Sequence, residues 1–324
     1  MLAHLGTRTL VGAVVVAGVV TLTFLLVRLA PGDPAERLLG PTATPEQLAA
    51  QRRALGLDRP LAAQYAIWLG RFVRGDWGRS IATGRPVREL LGDAVPATVA
   101  LVGTSLILSY VLGLAVGAWQ SGAGPRVDAT LSVTTVTLFA LPGFWLGLML
   151  AMAFTYWAHW LPAFGATGLD ANALTGWSRL ADRLRHFALP LATLTLIGIG
   201  GAARFVRGAM RDVRSQAFVR TAEAKGLSPF RVTRRHVARN ALIPVITLIG
   251  LSLPALFSGA VLVEAVFAWP GVGRRLVEAV QARDYPVVMA ATVVTAVLVV
   301  AGNLLTDLGV AWIDPRIRRG KGET

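Results

Sequence analysis

Residues 9–29 read TLVGAVVVAGVVTLTFLLVRL. No charge interrupts the run from Leu10 to Val27. A helix needs about 20 mostly apolar residues to cross a bilayer core, and this run supplies them. It exceeds the roughly 7–15-residue core of a secretory signal, and no small-x-small cleavage site precedes Pro31-Gly32-Asp33-Pro34, so a retained span is expected. Five further stretches qualify or nearly qualify: 97–119, 129–157, 188–207, 242–266 and 287–312. The third contains Pro142, which predicts a kink or tilt. The fourth is marginal, because Arg204 and Arg207 cut into its end. The reading is an all-α membrane protein with six transmembrane helices.

Composition agrees. Of 324 residues, 54% are hydrophobic and only 15% charged, against about 25% charged in soluble domains. Cysteine is absent, which rules out a disulfide framework, a thiolate nucleophile and cysteine metal ligands. The net charge is +14, and all but Lys225 and Lys321 of the 32 basic residues are arginine. Such a balance can mark a nucleic-acid binder. Here there are no zinc-finger cysteines and no base-stacking module, so no nucleic-acid partner is expected.

Topology accounts for the arginines. With the N-terminus inside, segments 1–8, 120–128, 204–241 and 313–324 face the cytoplasm. They carry sixteen basic residues against five acidic ones. The two short outer segments, 158–187 and 267–286, hold six basic residues together. Nine more fall in the long segment 30–96, and long loops translocate largely regardless of charge. Both termini are therefore expected in the cytoplasm.

That long segment, roughly 65 residues, exceeds a passive connection. Pro45 to Leu55 reads as a short helix, with Thr44 as N-cap and Gly56 as stop. Leu61 to Val73 is amphipathic. Pro60, Gly75-Asp76 and Gly84-Arg85-Pro86 punctuate the rest. A small external helical cap is expected.

Catalytic motifs are missing. Each lysine is followed by glycine, so no phosphate loop with lysine before serine or threonine exists. His4, His159, His186 and His236 lack zinc-type spacing, and there is no G-x-S-x-G elbow. Charges within the spans are few. Glu264 reads as a structural hydrogen-bonding or headgroup-level residue, or as part of an external gate. Asp307 reads as an interfacial or helix-packing residue, and Arg28 can snorkel.

The most informative segment is 216–247, QAFVRTAEAKGLSPFRVTRRHVARNALIPVIT. Phe218 to Lys225 has helical composition, Gly226 stops it, and Ser228 is placed to cap a second helix with Pro229 in its first turn. Phe218, Val219, Ala222, Leu227, Phe230 and Val232 offer an apolar patch among arginines. Physics alone leaves two readings: a basic hairpin lying on anionic lipid, or a docking site for a partner.

This segment resembles the EAA loop of ATP-binding-cassette (ABC) importer permeases. In the peptide branch that loop reads much like V-R-T-A-x-A-K-G, a later His, and R-N-A-L-x-P. Here stand Val219-Arg220-Thr221-Ala222-Glu223-Ala224-Lys225-Gly226, His236, and Arg239-Asn240-Ala241-Leu242-Ile243-Pro244. Other stretches are similar in the family's order: Pro31-Gly32-Asp33-Pro34, Gly75-Asp76-Trp77-Gly78-Arg79-Ser80, Leu141-Pro142-Gly143-Phe144-Trp145, Glu264 to Gly273, Arg283-Asp284-Tyr285-Pro286 and Asp314-Pro315-Arg316. The likeness is to the B-type membrane subunit of dipeptide and oligopeptide importers. Arg220 stands where the loop's name-giving glutamate falls, a replacement usual in the peptide branch. Glu223 stands where the family often has arginine.

The resemblance implies the type I ABC importer permease fold. It divides the chain into a first transmembrane helix (1–30), an external loop or cap (31–96), a permease core (97–313) with its coupling loop near 215–244, and a cytoplasmic tail (314–324). It implies an ATPase-coupling role for Arg220, Thr221, Ala222, Ala224, Lys225, Gly226, Leu227, Arg231, His236, Asn240 and Pro244. Glu264, Pro270 and Gly271 become gate or structural residues. The implied partners are a second homologous permease, two ABC ATPases that bind the ATP, an extracytoplasmic peptide-binding protein and membrane lipid. No cofactor or metal is implied for this chain, which is expected in the bacterial inner membrane as a non-enzymatic subunit. Gly198, Gly200 and Gly201 are expected to allow close helix packing. The main alternative is a nickel or other small-solute importer of the same superfamily. A secondary transporter would need an intramembrane ion site, and a membrane scaffold would leave the glycine-stopped loop unexplained.

Overall fold

A computed structural model describes residues 2–29, 34–40, 42–54 and 56–313. Pro31-Gly32-Asp33, Leu55, Asp314-Pro315-Arg316 and the rest of the tail lie outside the described residues. Among the described residues the chain is helical, with one isolated bridge between Arg79 and Pro86. Five helices are long and apolar enough to cross a membrane, or six if one sharply bent pair counts as a single span.

Helix α1 (Leu2–Leu29) lies against the last helix, α13 (Tyr285–Ile313). Gly12 allows the approach: a Cβ there would stand 2.6 Å from Val300 Cγ1. Arg8 Nε pairs with Asp307 at 3.5 Å, giving Asp307 the helix-packing position expected of it.

The next segment carries α2 (Pro34–Leu39), α3 (Pro45–Ala54) and α4 (Leu61–Val73). Thr44 caps α3 reciprocally: Gln47 N–H donates to Thr44 Oγ1 at 3.3 Å, and Thr44 N–H donates to Gln47 Oε1 at 2.9 Å. Gly56 has φ +66° just past the end. Helix α4 packs against α1 itself. Tyr65 meets the buried Phe24 edge to face at a centroid distance of 5.2 Å, Trp68 lies tilted against it at 5.9 Å, and the aromatic series continues through Phe72 to a stacked Trp77. The segment is therefore tied to a span by aromatic burial.

Helix α5 (Val87–Gly122) begins ten residues before the expected span and runs through Pro96. The expected boundary at 96/97 thus falls inside it. Its first turns are helical because Val87, Leu90, Leu91 and Ala94 are buried against α12 (Val272–Ala282) and α13. Apolar burial overrides the charges of Arg88, Glu89 and Asp93 on the other face.

The third span is more broken than a kink. Helices α6 (Pro125–Ala140) and α7 (Gly143–Ala151, extended by a π turn to Trp157) meet at 103°. The break falls at Leu141 and Pro142, both in extended backbone, and the proline ring removes a donor and crowds the preceding turn.

Helix α8 (Gly176–Arg214) runs past both arginines expected to cut into the end of the fourth span. Each has found a partner. Arg207 forms a bidentate pair with Asp128 of α6 at 2.6 and 2.7 Å, Arg211 adds a bond at 2.8 Å, and Arg204 lies 4.6 Å from the Phe139 ring centroid. Paired guanidiniums do not terminate a helix as lone ones in lipid would.

The long helices α5 and α8 run parallel along a seam of small residues. A Cβ at Gly113 would stand 2.5 Å from Ala202 Cβ, one at Gly117 would meet Ala203 O at the same distance, and one at Gly198 would collide with Ser109. Gly200 makes the corresponding approach to α6 at Thr135 O, and Gly201 faces the Phe139 ring. Small residues allow such contact where the surrounding lipid offers no hydrophobic drive to associate.

Candidate functional site

Past Arg214 the chain turns at Ser215-Gln216 into α9 (Ala217–Ala224), then α10 (Pro229–Val232), a π turn (Thr233–Ala238) and α11 (Arg239–Val266). Gly226 ends α9 with φ +77°. Its N–H donates to Glu223 O at 2.9 Å, and Leu227 N–H donates to Ala222 O at 3.4 Å. This is a Schellman ending, and it needs a left-handed residue that glycine adopts without strain. Ser228 occupies the N-cap position of α10 and Pro229 its first turn, but the serine side chain makes no capping bond. The side-chain cap expected of Ser228 is replaced by backbone alone: Val232 N–H donates to Ser228 O at 3.0 Å.

The apolar patch read from the sequence is split by the fold. Val219, Ala222 and Val232 turn inward with Val237, against Val206, Met210 and Val213 of α8 and Ala241 and Val245 of α11. Leu227 and His236 are half-buried. Phe230 is 73% exposed, Phe218 is 39% exposed, and Arg220, Thr221, Ala224, Lys225, Gly226, Arg231 and Asn240 share that outer exposure. Pro244 falls within α11. Arg214 donates to Thr233 Oγ1 at 2.9 Å, tying the hairpin to the foot of α8. The result is a basic shelf with two projecting phenyl rings, seated on a rigid apolar base.

Glu264 and Gly271 meet at the opposite end of α11, where Pro270 lies in the turn between α11 and α12. The Glu264 side chain is fully buried. It accepts Thr98 Oγ1–H at 2.6 Å, Gly273 N–H at 2.7 Å and Arg274 N–H at 3.2 Å. Its carboxylate therefore caps the N-terminus of α12, where unpaired N–H groups and the helix dipole favour a negative charge. Gly271 is the N-cap residue, and any Cβ there would collide with that carboxylate. Trp269 Nε1–H donates to Ala97 O at 3.1 Å and fixes the same junction to α5. A parallel contact holds the 75–86 loop: Ser80 donates to the buried Asp284 at 2.5 Å.

A cavity of about 500 Å³ lies between α5, α6, α8 and α11. Tyr110, Phe139, Arg204, Phe205 and Ser252 line it, with the Tyr110 hydroxyl 3.0 Å from Ser252 Oγ.

Residues 93–319 match the family described as binding-protein-dependent transport system inner membrane component, and residues 1–102 match its N-terminal region. The chain belongs to this family. It is a multi-pass inner-membrane permease of an ABC transport system. The permease is 38% identical to the oligopeptide transport system permease protein AppB of Bacillus subtilis, over 98% of this chain and 99% of that one. It is 40% identical to the probable D,D-dipeptide transport system permease protein DdpB of Escherichia coli, over 95% of each. A chain of the MetNI methionine ABC transporter, captured in inward-facing conformations, shares the fold with a TM-score of 0.59 at 18% identity, covering 71% of this chain and 98% of that one.

Proposed function

We propose that this permease is the B-type membrane subunit of a peptide importer and forms half of its pathway. It pairs with a second homologous permease, two ABC ATPases and an extracytoplasmic peptide-binding protein. Curated relatives named as oligopeptide and dipeptide permeases, similar along nearly their whole length, favour peptide over nickel or another small solute. The observation that carries the coupling role is the shelf at 217–231: outward polar and phenyl groups on a helix whose inner face is buried against α8 and α11. Such a helix transmits a push from an ATPase into both spans at once, because close-packed interiors move as bodies.

In this reading both termini and the shelf face the cytoplasm, as the arginine bias favours, and the 31–96 segment faces outward. Closure of the ATPases on ATP moves the shelf, and the cavity between α5, α6, α8 and α11 changes the side to which it opens. ATP stays with the partner subunits, and this chain needs no cofactor. Glu264 and the α11–α12 junction form a structural hinge at the outer gate.

Gly226→Asp tests the coupling. Uptake of a defined dipeptide and oligopeptide is expected to be lost while the permease stays in the membrane. Unimpaired transport and ATP hydrolysis by an assembled complex carrying the variant would sink the assignment. Unchanged peptide uptake in cells lacking the gene would instead sink the cargo reading.

A further inference from the structure

Helix α1 delivers Arg28 to a cavity of about 410 Å³, walled by α4, the 76–81 loop and the start of α13. Arg28, Arg71 and Arg79 line it, against one acidic residue, Asp76. Asp76 already accepts Gly78 N–H at 3.2 Å, and Arg79 Nε donates to Gly84 O at 2.8 Å. Among the described residues no carboxylate lies within ion-pair distance of these three arginines. The buried Nε of Arg28 and the buried hydroxyl of Tyr285, both at this cavity, have no hydrogen-bond partner. A recess of about 190 Å³ shares Arg28 and Arg71 and adds Arg53 and Arg59. Buried donors without acceptors, beside clustered positive charge, are costly unless an anion satisfies them.

A second feature continues from the first. An apolar groove of about 520 Å³ runs between α1 and the α12–α13 pair, and it shares Val27 and Tyr285 with the cavity. Leu26, Leu276, Val280 and Val288 line it. Arg28 follows the last residue of the uncharged run, so the cavity lies where the hydrocarbon core gives way to headgroups. Trp68 and Trp77 border the cavity, and indoles favour that level.

We propose that cavity and groove together hold one anionic glycerophospholipid. Arg28 and Arg71 bind its phosphate, Tyr285 donates its hydroxyl to the headgroup, and one acyl chain lies along Leu26 and Val288. Guanidinium forks match phosphate oxygens in geometry and charge. A free anion would leave the groove empty, and the groove's continuity with the cavity selects a lipid. The lipid joins α1, α4 and α13, elements outside the α5–α6–α8–α11 cavity.

The test is native mass spectrometry of the purified transporter complex, titrated with phosphatidylglycerol, phosphatidylcholine or inorganic phosphate. One retained phosphatidylglycerol is expected, displaced by neither competitor. Arg28→Gln with Arg71→Gln lowers its retention about tenfold or more, the worth of a lost charge-assisted bond. Leu26→Trp, at an exposed position narrowing the groove, lowers retention too, whereas Arg74→Gln, outside the cavity, leaves it unchanged. If the double variant does not assemble, Arg71→Gln alone is read, since Arg71 is exposed. Undiminished retention in the cavity or groove variants, equal retention of phosphatidylcholine, or displacement by inorganic phosphate would each overturn the proposal.

Discussion

Glu264 and Thr98 lie 166 residues apart in sequence, yet Thr98 donates its hydroxyl to Glu264 Oε1 at 2.6 Å in the buried centre of the α5–α11–α12 junction. The same Thr98 oxygen accepts Val272 N–H at 2.8 Å. One threonine and one glutamate thus satisfy three N–H groups at the start of α12. Glu264→Ala leaves the Gly273 and Arg274 N–H groups without their acceptor, at a cost of about 2–4 kcal/mol. Thermal unfolding of the purified complex should show a lower midpoint. A double-mutant cycle with Thr98→Ala should give a combined loss smaller than the sum. Strict additivity would argue against a shared network.

The α5–α8 seam should tolerate no side chain. Gly113→Leu drives a Cβ and its branches into Ala202, and Gly198→Leu drives them into Ser109. Each is expected to lower stability by about 1–3 kcal/mol or more through overpacking. Yield of folded permease in detergent, measured by size exclusion, checks this. Gly208→Ala is the control on the same helix, because nothing lies within 4 Å of a Cβ there.

Asp128 joins α6 to α8 through Arg207 and Arg211. Asp128→Asn removes the charge and keeps the shape, leaving two guanidiniums close together without their anion. The unfolding midpoint should fall, and Asp128→Glu should recover part of the loss. Limited proteolysis of the 123–124 connection offers a second readout, with faster cleavage expected in the asparagine variant.

Phe230 separates docking from folding. Its ring is 73% exposed, so Phe230→Ala should change the stability of the isolated permease by no more than about 0.5 kcal/mol. ATPase stimulation by loaded binding protein should nevertheless fall several-fold in the assembled transporter. Val219→Ala, buried in the base beneath the shelf, should do the reverse in stability, costing about 1.5–3 kcal/mol. If Phe230→Ala left coupling intact, the outer face of the shelf would not be the contact.

The helix ends of the candidate site were legible in the primary structure because their signals are local. Gly226 stands between a helical run and Leu227-Ser228-Pro229, where a stop is expected, and Thr44 stands directly before the helical run from Pro45. The inward turn of Val219 and Val232 was not legible. Which face of an eight-residue helix is buried depends on where α8 and α11 stand, and a short amphipathic segment beside lipid offers two apolar choices.

The amino-acid sequence by itself determined the apolar spans, the absence of nucleotide-binding and metal-binding motifs, and the glycine-stopped basic loop. These follow from transfer free energy, side-chain chemistry and backbone sterics, which act residue by residue. Only the tertiary structure decided where the spans end and what their buried charges do. Arg207 does not terminate α8 because Asp128, 79 residues earlier, lies beside it. Glu264 caps a helix because Thr98 and the α12 N-terminus converge on it. A charge in a low-dielectric interior takes its role from its neighbours, and only folding brings those neighbours together.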